Sequence, residues 1–247
     1  MTTISAIAHR GHSAAAPENT LAAFRKAIEL GPEMIECDVR RTRDGNLVVI
    51  HDPTVDRTTD GKGRVADLTL ADIKKLDAGG WFGPEFAGER IPTLDEALEL
   101  SSGKVKLIIE IKENGLEDQV TALVADRGML GEVLIASFHY QIGVRLFELA
   151  PEIPFVVLLG LDHELVGSEA VSVVDEAAAV NGSIFGLNYA AVSPDVVAAC
   201  HSANLSLMAW TVDKEEDMRR MIEMGVRTIA SNRLDLLLRV LSEAQAR

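Results

Sequence analysis

Three acidic side chains fall at matching depths in two predicted strands of this sequence. Glu36 and Asp38 belong to the apolar run Met34–Val39, and Glu110 belongs to the run Leu107–Ile111. Side chains alternate between the two faces of a strand, so Glu36 and Asp38 share one face. Carboxylates that converge without a counter-charge are strongly disfavoured. Because oxygen ligands suit hard cations, we predict that the three residues bind one divalent cation, Mg²⁺ or Ca²⁺.

Titratable and basic residues accompany these carboxylates. His9 follows the first predicted strand and His51 follows a later run. Two histidines at one site can serve as a general acid and a general base. Lys112 is explained equally well as the ion-pair partner of Glu110 or as a contact for an anionic substrate. A salt bridge to a neighbouring Arg or Lys is the structural alternative for the carboxylates themselves.

A hairpin is predicted to bring His51 to the acidic residues. The run Leu47–His51 follows the preceding strand too closely for a parallel crossover, which needs about a dozen residues. Asp44-Gly45 favours a two-residue turn between the two runs. Pairing about that turn places Asp38 directly opposite His51.

Eight apolar runs alternate with helical patterns along the chain. The predicted strands are Ile4–Ala8, Met34–Val39, Leu107–Ile111, Val133–Ser137, Phe155–Leu159, Ile184–Asn188, Leu205–Trp210 and Thr228–Ser231. The predicted helices are Thr20–Leu30, Leu94–Leu100, Leu116–Arg127, Tyr140–Leu149, Glu169–Val180, Pro194–Ala203, Lys214–Met224 and Leu234–Gln245. This alternation predicts an α/β fold, a (β/α)₈ TIM barrel with its active site at the carboxyl ends of the strands.

The 247 residues suit one barrel, so residues 1–247 are predicted to form a single domain. Residues 53–90 are rich in Gly and Asp and too long for an ordinary loop. We interpret them as a small insertion over the barrel mouth, after the second strand, with a short helix near Leu70–Leu76.

Local signals mark several helix ends. Asn19 or Thr20 can cap the first helix, and Asp213 with Glu216 has the spacing of a capping box. For Asn19, capping is at least as good an explanation as a ligand contact. Trp210, at the end of a predicted strand, is either ordinary packing or a wall of the substrate pocket.

Composition excludes several classes of partner. The net charge of −14 repels nucleic acid and anionic membranes. No run has the roughly 18 apolar residues of a membrane span, and the first residues lack the pattern of a signal peptide. Cys37 and Cys200 match no metal spacing and are interpreted as reduced thiols of a cytoplasmic protein. The expected partner is therefore a small molecule, with no nucleic acid and no membrane anchor.

The order and spacing of these residues resemble the glycerophosphodiester phosphodiesterase family over nearly the whole chain. The matching pieces are His9-Arg10-Gly11, Pro17-Glu18-Asn19-Thr20, Glu36-x-Asp38-Val39, Asp44-Gly45, Val49-x-His51-Asp52, Asp56-Arg57-Thr58-Thr59, Ile91-Pro92-Thr93-Leu94, Glu110-x-Lys112, Ser137-Phe138 and Trp210-Thr211-Val212.

The resemblance implies metal-dependent hydrolysis of a glycerophosphodiester to sn-glycerol 3-phosphate and an alcohol. The residues it implies are the metal ligands Glu36, Asp38 and Glu110, the acid–base pair His9 and His51, and the phosphate-neutralising Arg10 and Lys112. Residues 53–90 resemble the small extra subdomain of that family.

Two positions depart from the family pattern. Asp213 stands where many members have Asn, and Ser231-Asn232-Arg233-Leu234 stands where Thr-Asp-x-Pro is frequent. We expect Asp213 to keep a helix-capping role and the second departure to affect only contacts of the last loop, and so substrate preference.

Two other functions remain as alternatives. The first is a related barrel enzyme that acts on lysophospholipids or sphingomyelin. The second is a non-catalytic module that binds phosphoglycerol, since one fold can host unrelated functions.

Overall fold

A closed barrel of parallel strands forms the body of the molecule. The computed structural model describes residues 4–161 and 163–245. The strands in that part of the chain are β1 (Ser5–Ala8), β2 (Met34–Arg41), β3 (Leu47–Val49), β4 (Lys106–Ile111), β5 (Val133–Ser137), β6 (Phe155–Leu159), β7 (Gly182–Asn188), β8 (Ser206–Trp210) and β9 (Thr228–Ser231). All except β3 pair in parallel, and the contact between β1 and β2 closes the ring.

Helices surround this ring. They are α1 (Leu21–Leu30), α2 (Leu70–Ile73), α3 (Leu94–Ser101), α4 (Glu117–Asp126), α5 (Tyr140–Leu149), α6 (Gly167–Ala179), α7 (Pro194–Ser202), α8 (Glu215–Glu223) and α9 (Leu234–Gln245). The (β/α)₈ barrel predicted from the sequence is therefore confirmed. Among the described residues, no helix combines the length and apolar character needed to cross a membrane.

Two apolar layers follow from the alternation of side chains along each strand. One face of every strand packs against the helices and forms the large outer core. The other face fills the barrel interior with a smaller cluster that includes Ile7, Ile108, Leu158 and Met208. The barrel is therefore a packed core whose inner cluster forms the floor beneath the carboxyl ends of the strands.

The hairpin is present, but its predicted register is wrong by one residue. Val39 pairs with Val49, and the Ile50 amide donates to the Asp38 carbonyl at 2.9 Å. The turn therefore has three residues rather than two, with Gly45 in the left-handed region (φ 86°). The Asp44 carboxylate accepts from the Leu70 amide at 2.9 Å, a contact across 26 residues that the local turn pattern does not contain.

The insertion has a small core of its own. Val55, Val65, Ile73 and Ala78 pack with Ile91 and with the hairpin residues Val48 and Ile50. The predicted short helix is confirmed as α2, which begins with a capping box formed by Thr69 and Asp72. Single 3₁₀ turns at Val65–Asp67 and Pro84–Phe86 complete the regular structure there.

Two predicted caps have different outcomes. Thr20 caps α1 by accepting from the Ala23 amide, and Gly31 ends that helix with φ 71°. The capping box predicted at Asp213 is wrong, because Lys214 occupies the N-cap of α8 without a side-chain bond. The Asp213 carboxylate accepts instead from Ser231 and Asn232.

Candidate active site

The three predicted carboxylates meet at the carboxyl ends of β2 and β4. Asp38 and Glu110 are direct neighbours across the parallel ladder, and Glu36 lies two residues earlier on the same face of β2. One oxygen from each residue lies within 4.8 Å of the others. All three are buried, with relative exposures of 7%, 0% and 7% for Glu36, Asp38 and Glu110.

Burial and mutual repulsion dominate the electrostatics of this cluster. Burial, followed by the charges of Asp38 and Glu110, raises the pKa of Glu36 well above its usual range. Burial and the Asp38 charge raise the pKa of Glu110 to about 7. Burial also opposes ionisation of Asp38, but Lys112 and Arg10 outweigh it and lower its pKa to about 2.

The residues present fit a hard divalent cation. Within the described part of the chain, the buried Oε1 of Glu36 has no hydrogen-bond partner. An unsatisfied carboxylate oxygen at this depth is costly unless a cation or a donor meets it. The donor set consists of oxygen atoms only, as Mg²⁺ and Ca²⁺ require.

Two basic side chains lie against the cluster. Lys112 Nζ is 3.1 Å from Asp38 and 2.5 Å from Glu110. Arg10 Nε is 3.3 Å from Asp38, and the Arg10 backbone amide donates to Glu36 at 2.9 Å. The positive charge that the acidic molecule needs for an anionic ligand is thus concentrated here.

His9 lies at the end of β1 with its two ring nitrogens in different surroundings. Nε2 faces the cluster, 3.9 Å from a Glu36 oxygen. Nδ1 is 2.8 Å from Oδ1 of Asn232. Burial and the neighbouring Arg10 lower the pKa of His9 to about 4.

His51 follows the hairpin and reaches the same mouth. Its Nδ1 is 2.7 Å from Oδ1 of Asp52. Arg57 donates to both oxygens of Asp52 at 2.7 and 3.0 Å, and also to both oxygens of Glu18. Burial lowers the pKa of His51, and the Asp38 charge opposes that shift. His51 lines the same pocket as Glu36 and Glu110, so the hairpin returns it to the level of the carboxylates despite the shifted register.

Asn19 and Trp210 have distinct positions. Asn19 is 4% exposed and does not cap α1. Its Nδ2 donates to the Asp38 carboxylate at 2.7 Å, and its Oδ1 accepts from the Asp38 amide at 3.2 Å.

Trp210 lines the same pocket as His9 and His51. Its ring meets Phe138 edge to face, with ring centroids 5.5 Å apart. Lys112 Nζ lies over the face of the Phe138 ring, 5.8 Å from its centroid, so an aromatic wall flanks the charged centre.

Several residues at the site were not assigned a role from the sequence. Glu18, Asp52 and Arg57 form the ion-paired rim beside His51. Asn232 contacts His9 directly, so the second departure from the family pattern does not act on the last loop alone. The unusual residues at 213 and 232 were the available signal, but only the fold brings them to His9.

Comparison with known proteins agrees with this geometry. The family described as "Glycerophosphoryl diester phosphodiesterase family" matches residues 9–236. A glycerophosphodiester phosphodiesterase of Caldanaerobacter subterraneus subsp. tengcongensis is 44% identical over 228 residues, which cover 89% of this chain and 90% of that protein.

Solved structures have the same fold. A glycerophosphodiester phosphodiesterase from Agrobacterium tumefaciens str. C58 is 35% identical, with a TM-score of 0.81 over 96% of this chain and 99% of its own. An Oleispira antarctica phosphodiesterase in complex with the product sn-glycerol-3-phosphate is 29% identical, with a TM-score of 0.85 over 96% of both chains.

Proposed function

Because the chain belongs to the glycerophosphoryl diester phosphodiesterase family and is a glycerophosphodiester phosphodiesterase, we propose that it releases sn-glycerol 3-phosphate and an alcohol by metal-dependent acid–base hydrolysis. The observation that carries the proposal is the buried carboxylate cluster, whose Glu36 and Glu110 line the same pocket as both histidines. The Oleispira antarctica relative, whose structure contains sn-glycerol-3-phosphate, supports the choice of product.

Glu36, Asp38 and Glu110 would hold one divalent cation, Mg²⁺ or Ca²⁺. When bound, the cation would supply positive charge that polarises a phosphoryl oxygen. Asn19 holds Asp38 through two hydrogen bonds, so we assign it to orienting that ligand. The buried Glu36 oxygen without a hydrogen-bond partner supports this donor set.

Arg10 and Lys112 would neutralise the phosphate of the substrate. Both side chains already lie within 3.3 Å of the carboxylate cluster, where a phosphoryl group would bind beside the cation. Fixed positive charge in a partly buried site stabilises the charge that develops on the phosphoryl oxygens. Trp210, with Phe138, would form the wall against which the organic part of the substrate packs.

His9 and His51 would transfer the protons. One imidazole removes the proton of the attacking oxygen, which belongs to water or to the neighbouring hydroxyl of the substrate. The other donates a proton to the leaving alkoxide oxygen as its bond to phosphorus breaks. Attack by water gives sn-glycerol 3-phosphate directly, and the two histidines then exchange these protons with solvent. Attack by the neighbouring hydroxyl gives a cyclic phosphodiester, which water opens to sn-glycerol 3-phosphate with the two imidazoles in exchanged roles.

Neither alternative function is favoured. The relative at 44% identity bears the name glycerophosphodiester phosphodiesterase, and the match covers most of both chains. The described residues also retain the full carboxylate cluster and both histidines, which a binding module has no need to keep.

The first test measures glycerol 3-phosphate release from glycerophosphocholine. Protein treated with EDTA is assayed alone and after addition of Mg²⁺ or Ca²⁺; we expect activity only with metal.

His9→Ala and His51→Ala should each lower kcat by about 10²–10⁴-fold while keeping the wild-type circular dichroism spectrum. Full activity after metal removal, or near-wild-type turnover by either variant, would contradict the mechanism.

We propose a reducing, cytoplasmic location for the enzyme. Cys37 and Cys200 are buried free thiols rather than a disulfide, and reduced cysteines are the rule in that compartment.

A further inference from the structure

The Nδ1 atom of His9 ends a short chain of polar groups that starts at Asp213. Asp213 Oδ2 is 2.7 Å from Nδ2 of Asn232, and Asn232 Oδ1 is 2.8 Å from Nδ1 of His9. The three residues come from the ends of three different strands, β8, β9 and β1. The contacts have no role in the mechanism described so far.

The Asp213 carboxylate fixes the orientation of the Asn232 amide. Its Oδ1 already accepts from the Ser231 hydroxyl at 3.0 Å and from the Asn232 backbone amide at 2.8 Å. A carboxylate only accepts hydrogen bonds, so Asn232 must turn its NH₂ group toward Oδ2. The reverse orientation would bring two oxygens to 2.7 Å with no hydrogen between them.

The fixed amide in turn determines the tautomer of His9. With NH₂ directed at Asp213, the Asn232 atom that faces His9 is the carbonyl oxygen, which can only accept. Nδ1 of His9 must therefore carry the hydrogen, and Nε2 of the neutral ring carries a lone pair. Ser13 lies 2.8 Å from the same oxygen, whose second lone pair can accept its hydroxyl.

We propose that Asp213 and Asn232 are positioning residues that hold His9 in its Nδ1–H tautomer, so that Nε2 is the proton acceptor at the reaction centre. Nε2 faces the carboxylate cluster, where the attacking oxygen must lose its proton. His9 is then the general base, and donation to the leaving alcohol is left to His51. The catalytic consequence rests on the proposed function, whereas the tautomer rests only on the contacts of Asp213 and Asn232.

Exchanging the two side chains tests the chain of contacts. In Asp213→Asn the new amide keeps its oxygen on the Ser231 and Asn232 donors, and so directs its NH₂ at Asn232. The Asn232 amide then rotates and presents NH₂ to His9, which forces the hydrogen onto Nε2. In the double variant Asp213→Asn/Asn232→Asp, a carboxylate again accepts from Nδ1, and the original tautomer returns.

The primary measurement is the ¹⁵N NMR spectrum of folded protein labelled in histidine. His9 is assigned as the signal missing from His9→Ala. We expect a protonated Nδ1 and an unprotonated Nε2 in the wild type, the opposite in Asp213→Asn, and recovery in the double variant. Asp126→Asn, which removes one exposed charge from α4, should retain the wild-type pattern.

Kinetics supply the second readout. Asp213→Asn should lower kcat by about 10–100-fold, as loss of a supporting partner does elsewhere, with little change in KM or metal affinity. The double variant should recover part of that loss, which a purely structural defect would not allow.

The outcomes separate the two proposals. A wild-type enzyme with hydrogen on Nε2, or an Asp213→Asn enzyme with an unchanged tautomer, overturns the inference whether or not kcat falls. A wild-type protein with the expected tautomer but no hydrolysis of any glycerophosphodiester supports the assignment of the tautomer and overturns the proposed function. Because the wild-type spectrum, once assigned with His9→Ala, decides the tautomer, failure of Asp213→Asn to fold does not prevent the test.

Discussion

Each histidine at the site has a different partner on its Nδ1 atom. His9 meets the neutral amide of Asn232, whereas His51 meets the carboxylate of Asp52. A carboxylate stabilises a positively charged ring and an amide does so much less. Arg57 holds Asp52 in place from the insertion, so the orientation of His51 depends on a residue outside the barrel.

Asp52→Asn should separate proton transfer from substrate binding. The amide removes the charge that supports a protonated His51 and permits two orientations against its ring. We expect kcat to fall by about 10–100-fold with little change in KM, as measured by glycerol 3-phosphate release. Asp56→Asn removes a charge from an exposed residue of the same segment that contacts Gly63, and should leave kcat unchanged. An unchanged kcat with a raised KM would make Asp52 a substrate contact instead.

The sequence predicted one part of the site well and another part not at all. The alternation of side chains in β2 places Glu36 and Asp38 on one face. Glu110 lies at the matching position of the neighbouring strand β4. No periodicity governs the loop contact between His9 and Asn232, which are 223 residues apart. Asn19 illustrates the same limit, because its sequence position suits a helix cap while the fold directs its side chain to Asp38.

At the level of elements, strand positions were predicted to within a few residues, because each parallel strand is a continuous apolar run between polar turns. The hairpin register was missed, because a local turn pattern carries no information about Leu70, whose amide contacts the Asp44 side chain.

The turn that follows β1 also departs from regular structure. Arg10 and Gly11 both have positive φ, at 58° and 78°, and lead from the strand into the loop before α1.

Two glycine variants should distinguish backbone strain from close packing. Gly11 and Gly45 both have left-handed backbones, but a Cβ at Gly11 would lie 2.7 Å from backbone and side-chain atoms of Ala23, whereas a Cβ at Gly45 meets nothing within 4 Å. Gly45→Ala should cost about 1–2 kcal/mol of unfolding free energy from strain alone. Gly11→Ala should cost that amount plus about 1–3 kcal/mol for the forced shift of α1.

Urea unfolding followed by circular dichroism measures both glycine costs. Gly11→Ala should also reduce catalysis in the folded state, because the displaced turn carries His9 and Arg10. Equal losses of stability in the two variants would mean that α1 moves aside at no cost, and that the close approach to Ala23 is not a constraint.

The insertion is attached to the barrel at several separate points. Arg57 bonds Glu18 before α1, and Lys74 bonds Glu96 of α3. The small core of the insertion continues into the hairpin through Val48 and Ile50. The sequence predicted a subdomain over the mouth from length and composition, but these attachments depend on tertiary contacts that neither property encodes. They lead us to propose that residues 1–247 fold as one domain.

The two tryptophans allow that proposal to be tested, since Trp81 lies in the insertion and Trp210 lies at the end of β8. Trp81 is 44% exposed and packs on Phe82, so Trp81→Phe and Trp210→Phe each leave one fluorophore that reports on one region. Unfolding the insertion would break the ion pair that holds Asp52 and expose the apolar core that the insertion shares with the hairpin. The free energy of unfolding of the insertion should therefore equal that of the barrel. We expect the fluorescence midpoint in urea to coincide with the circular dichroism midpoint in each single-tryptophan variant. A fluorescence transition in Trp210→Phe at clearly lower urea than the circular dichroism transition of the same variant would make the insertion an independently unfolding unit. Activity should then disappear with that earlier transition, because His51 would lose its support while the barrel remained folded.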